Sequence, residues 1–160
     1  FLDKLNILDK ITLKINSLGD FDSRKNYRDY LVNYLRDYQS KLSKDSLRRL
    51  SINPLRILDS KNAEDQKIIQ NAPSIFEYLN IDSKTRFEDV CKGLDHLNIK
   101  YRIDKNLVRG LDYYCHTAFE FVTKEIGSQG TVLAGGRYDG LIQRMGGTAT
   151  SGVGWAAGVE

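Results

Sequence analysis

Over residues 11–15 the chain alternates Ile, Leu and Ile with Thr12 and Lys14. That period of two predicts a half-buried strand, closed by Asn16-Ser17-Leu18-Gly19. The period then lengthens. Asp22 or Ser23 is placed to cap a helix from about Arg24, along which Tyr27, Tyr30, Leu31, Tyr34, Tyr38 and Leu42 recur at three- and four-residue steps as one wide apolar stripe. Tyrosines at helical spacing read as core with hydroxyls at the rim rather than as a stacking surface. A short capped helix over 45–50 is stopped by Asn53-Pro54, and further short helices are predicted near 63–69 and 74–79. Asp82-Ser83 caps a stronger helix with Phe87, Val90, Cys91, Leu94 and Leu97 on its buried face. Extended structure resumes over 99–103. A long strand rich in aromatic and β-branched residues follows over 111–123, then a turn over 126–128, a strand over 130–134, and an extended-then-helical element from Gly152.

Composition sharpens this division. Of the 13 glycines, 11 lie from Gly110 onward, while both prolines, Pro54 and Pro73, precede it. The first two-thirds therefore reads helical, and the last third reads as strand and turn with backbone approaching a ligand. Nothing resembles the ~18-residue apolar run of a membrane span or a secretory leader. Phe1 and Gly158-Val159-Glu160 read as cuts in a longer chain. The net charge of +3 is mild, but residues 41–61 hold six basic side chains (Lys41, Lys44, Arg48, Arg49, Arg56, Lys61) against two acidic ones. That stretch suits phosphate contact, and a solvated face explains the charge equally well. Cys91 and Cys115 read as reduced core and strand residues. Neither they nor His96 and His116 show metal-ligand spacing, so no metal site is expected.

Three clusters carry candidate chemistry. In Arg109-Gly110-Leu111-Asp112-Tyr113-Tyr114, glycine keeps backbone clear beside a guanidinium, which suits a planar anion; an ordinary salt bridge is the bland alternative. On a strand, Tyr113 and Tyr114 would point to opposite faces, leaving one for the cleft. In Ala134-Gly135-Gly136-Arg137-Tyr138-Asp139-Gly140, paired glycines at a strand end admit a ligand to the main chain beside an aromatic wall. In Gly152-Val153-Gly154-Trp155-Ala156-Ala157-Gly158, small residues leave a flat strand face for a base or sugar. The basic P-loop pattern is absent.

LVRGLDYYCHTAFEFV (107–122) resembles the first histidine-specific motif of the histidyl-tRNA synthetase family, and GSQGTVLAGGRYDGL (127–141) is similar to the second. GVGWAAGVE resembles the opening of motif three of class II synthetases, ITLKINSLGD the strand after motif two, and DSLRRLSINPLRILDSK the start of the family's helical insertion. The resemblance implies an α+β fold: part of the class II antiparallel sheet with flanking helices (1–22 and 99–160), interrupted by a mostly helical insertion (23–98). It implies a cytoplasmic homodimer that activates histidine with ATP and Mg2+ to histidyl-adenylate and passes it to tRNA(His). By position Arg109 matches a catalytic arginine contacting the α-phosphate and the histidine. Tyr113, Tyr114 and Tyr138, with Gly135 and Gly136, match histidine-binding positions, Tyr114 ranking above Tyr113. Gly152, Gly154 and Gly158 match the adenylate side. Arg48, Arg49 and Arg56 are candidates for tRNA contact. Motifs one and two are missing, and motif three stops before its expected arginine, so the 160 residues alone are expected to form no adenylate. Two rivals share part of the pattern: the histidine-binding, non-enzymatic regulatory subunit of ATP phosphoribosyltransferase, and a synthetase-like tRNA-binding domain of a signalling protein.

Overall fold

The computed structural model describes residues 1–125 and 130–158; the turn expected over 126–128 lies outside them. Alternation carries strand β1 over Ile11–Ser17, two residues past the predicted stretch, because Asn16 and Ser17 are themselves buried. Helix α1 (Phe21–Arg36) starts earlier than its apolar period suggested. Its cap is Asp20, whose carboxylate accepts from the Ser23 amide at 2.8 Å. Tyr27, Leu31 and Leu35 are buried along it, whereas Tyr30 is half exposed and Tyr38 lies beyond the helix end. The apolar stripe is thus a narrow line.

Ser43 caps α2 (Lys44–Ile52), which ends at Asn53-Pro54, and Asn62 caps α3 (Ala63–Gln70). The expected helix over 74–79 is a single 3-10 turn, Ile75–Glu77, closed by a capping box. Helix α4 (Ile81–His96) is capped by Asn80 rather than Asp82 or Ser83. Of its expected buried face only Phe87 is fully covered, and Leu97 is 65% exposed, because α4 lays one short apolar line across the sheet.

Strands β2 (Tyr101–Ile103), β3 (Cys115–Thr123), β4 (Thr131–Arg137) and β5 (Val153–Ala157) complete the sheet, with a short helix α5 (Leu141–Arg144) between the last two. The order is β2-β1-β3-β4-β5, antiparallel except for the parallel β1–β2 pair. Three expectations change. The strand begins at Cys115, so residues 111–114 lie in a bend before it. The glycine pair falls inside β4 instead of at its end. No helix follows β5 within the described residues.

Register divides the side chains between two faces. Leu13, Ile15, Phe119 and Phe121 share one and pack with Phe87 of α4. Lys14, Asn16, Ala118, Glu120, Ala134, Gly136 and Gly154 share the other. Helices of the 23–98 segment build a joint core on that second face with Leu18, Val108, Tyr114 and Ala118.

Candidate active site

Buried Asn16 sets the approach of the first cluster. Its Nδ2 donates to the carbonyls of Leu107 at 2.9 Å and Lys105 at 3.3 Å, pinning the segment that delivers Arg109 to the small-residue face. There Arg109 Nη1 donates to Glu120 Oε1 at 2.6 Å, and the guanidinium stands 5.6 Å from the centroid of the Tyr114 ring. Arg109 Nε is buried without a partner. The ordinary salt bridge therefore exists, yet it leaves part of the fork unused. Burial raises the Glu120 carboxyl above its usual range, against the opposing pull of Arg109 and Lys14.

Tyr113 and Tyr114 do not point apart. Because they precede β3, strand alternation does not apply, and their rings stack at 4.8 Å; each meets Tyr138 edge-on, at 5.8 and 6.0 Å. Tyr114 is the more deeply buried and the one beside Arg109. Burial, with Tyr114 adjacent, pushes the Tyr113 hydroxyl upward, so it is protonated at neutral pH. The bend holding these rings is fastened by the helical segment. Arg24 Nη1 donates to the Tyr114 carbonyl, and Asn53 Nδ2 to Asp112 Oδ1 at 2.7 Å.

The glycines divide their work. A Cβ on Gly136 would lie 2.9 Å from the Tyr114 ring, so glycine is what lets the tyrosine settle on β4. Gly135 faces the opposite side, against Trp155. A Cβ on Gly152 would meet the Tyr138 ring at 2.6 Å, and Gly154 lies under the same ring; Gly158 has open space. The first two glycines thus seat Tyr138 directly.

Arg48 and Arg49 are not gathered here, whereas Arg56 Nη1 stands beside Gly110, where an added Cβ would lie 2.7 Å from it. Arg48 pairs with Asp45 at 2.9 Å, Arg49 with Asp45 at 2.7 Å and Asp59 at 3.1 Å, and Arg56 with Asp59 at 3.0 Å. Further cations gather beside Arg109. A cavity of about 430 Å³ is lined by Arg24, Lys25, Arg28, Arg109 and Arg144, with Asp112 as its one carboxylate. No ion pair among the described residues uses Arg24, Lys25, Arg28 or Arg144.

A family model described as histidyl-tRNA synthetase matches residues 24–160. The chain belongs to that family. It is 57% identical over 159 residues to a histidine–tRNA ligase of Ehrlichia ruminantium (strain Welgevonden), and 55% identical over 159 residues to one of Rhodospirillum rubrum. Each match covers 99% of this chain and 38% of the relative. Apo histidyl-tRNA synthetase of S. aureus superposes with a TM-score of 0.69 at 38% identity, covering 95% of this chain and 37% of that one. Family membership therefore rests on nearly the whole chain, which spans under two-fifths of its relatives' length.

Sequence reasoning did not single out Glu120, Asn16, Arg24, Lys25, Arg28 or Arg144, which the fold brings to this candidate site. A signal existed for Glu120: a carboxylate set between Phe119 and Phe121 breaks the apolar run of its strand.

Proposed function

We propose that the full-length protein is a histidine–tRNA ligase. It joins histidine to the α-phosphate of ATP with release of pyrophosphate, then transfers the histidyl group to tRNA(His). The observation that carries this reading is the Arg109 guanidinium, half engaged by Glu120, at the rim of a box made by Tyr113, Tyr114 and Tyr138 over Gly136. Attack on phosphorus gathers charge on the equatorial oxygens, and a guanidinium fixed beforehand stabilises that charge more than the ground state. Tyrosine hydroxyls facing an imidazole reject other side chains, because a wrong occupant leaves them unpaired. Mg2+ enters with ATP as the substrate complex. On the resemblance alone, the full-length protein acts as a cytoplasmic homodimer.

The test is histidine-dependent ATP–pyrophosphate exchange by the full-length protein. Arg109→Ala should lower kcat by roughly 10²–10³-fold, the scale of removing one oriented charge donor. Absence of exchange in the wild type would overturn the reading, and so would exchange indifferent to Arg109.

For tRNA, the pairing of Arg48, Arg49 and Arg56 with Asp45 and Asp59 shifts the proposed phosphate contact to the basic cavity. Lys25→Ala with Arg28→Ala should weaken tRNA binding and reduce its salt slope by about one for each phosphate no longer neutralised, leaving exchange intact. A steeper loss from Arg48→Ala with Arg49→Ala would return the contact to α2.

A further inference from the structure

We propose that Cys115, His116 and Asp139 form a zinc site behind the tyrosine box. Their spacing hides it: two ligands are adjacent at the start of β3, and the third follows Tyr138 on the far side of β4. In a regular strand Cys115 and His116 would face opposite ways. His116 instead takes a left-handed backbone, φ +49°, and the β3–β4 register shifts between Cys115 and Ala118. One ligand atom from each of the three residues then lies within 4.8 Å of the others. Ligand atoms around tetrahedral zinc stand about 3.3–3.8 Å apart, so closure by roughly 1 Å completes the set.

Independent observations point the same way. The His116 Nδ1 atom is buried with no hydrogen-bond partner, and its residue holds a conformation that β-carbon-bearing side chains rarely adopt. The Asp139 carboxylate is already aimed, receiving Arg137 Nε at 2.7 Å and the Gly152 amide at 3.2 Å, as ligating carboxylates are. The Asp139 amide donates to Cys115 Sγ at 3.4 Å; burial raises the free thiol above its usual range against that bond. A cavity of about 520 Å³, lined by these residues with Asp20, Arg24 and Arg144, leaves room for a water as fourth ligand. Arg24, Arg137 and Arg144 surround the site, so binding depends on the thiolate and carboxylate supplying two negative charges. The thiol proton leaves to solvent as the metal–sulfur bond forms. Sulfur, imidazole and carboxylate together select zinc over magnesium or calcium. The bound ion would fasten Tyr114's neighbour to Tyr138's, holding the box from behind.

The test is Co2+ titration of the metal-stripped full-length protein, which needs no activity readout and so stands apart from the ligase assignment. Expected is a thiolate-to-cobalt charge-transfer band, displaced by zinc, absent in Cys115→Ser and retained in Cys91→Ser. His116→Gly removes a ligand where glycine is at ease, so it should keep the metal-free fold while weakening uptake at least tenfold. No band in the wild type overturns the site. A band surviving Cys115→Ser, or uptake unchanged by His116→Gly in a folded protein, does the same.

Discussion

Glu120 shows how one side chain can work against the fold and for the site. Its side chain is 21% exposed and its carboxyl is raised by burial, so the fold favours the protonated form. That contribution to stability is full below the unfolded value, near 4.3, and is lost as pH rises through the raised folded value. At neutral pH the ionised group is therefore a cost, offset by Arg109. An amide at this position keeps a hydrogen-bond acceptor but leaves the Arg109 charge uncompensated, and removing one partner of a buried pair destabilises by up to about 3–5 kcal/mol. Glu120→Gln in the full-length protein should lower the melting temperature by several degrees, and adenylate formation slows as well because Arg109 loses its charged anchor. Thermal melting and pyrophosphate exchange on one preparation distinguish the roles. A large drop in melting temperature with unchanged kcat would make Glu120 a structural partner only.

Among the elements, the sequence pattern located the cores of α1 to α4 and of the five strands but missed the four-residue α5 and most of the ends, and for the ends the reason lies in tertiary contacts. Asn80 caps α4 while its side chain donates to Asp20, the cap of α1, at 2.6 Å, and its amide donates to Ser23. Two helix starts are thus set by one meeting point that periodicity cannot see. Residues 111–114 have strand composition, yet Arg24 and Asn53 hold them as a bend, and the same bonds put both tyrosines on one side. Arg109, the tyrosines and Gly136 were legible because motif order carries them. The basic cavity was not, since α1 and α5 contribute to it from more than a hundred residues apart. The helical segment has its own hub in Asp65, fully buried and accepting from the Ser43 amide and the Ser43, Ser46 and Ser60 hydroxyls at 2.6–2.8 Å. Burial would raise this carboxyl, but the four donors hold it below its usual value. A depressed carboxyl stabilises above its unfolded value, near 3.9, and the benefit goes as pH falls through the folded one. Asp65→Asn should cost roughly 2–3 kcal/mol at neutral pH, and its melting should depend less on pH in the acid range. Parallel melting curves for variant and wild type through that range would rule out the hub.

At the scale of the molecule, the sheet order places β2 and β5 at opposite edges among the described residues. The edges differ in kind. β2 is three residues long and carries Arg102, and short charged edges pair poorly. β5 is longer, exposes Val153 (72%) and Trp155 (59%), and the Trp155 ring lies 6.0 Å from that of Phe1 in a tilted contact. An unpaired ladder flanked by exposed apolar side chains is a template for another strand. The isolated 160-residue chain should therefore self-associate through β5, and Val153→Lys should restore the monomer by placing charge on that edge without touching the tyrosine box. Sedimentation equilibrium up to roughly 100 μM, within the range where exposed edges associate, checks both. A wild-type chain that stays monomeric throughout, or association that Val153→Lys leaves unchanged, would show that the β5 edge is already protected within this chain.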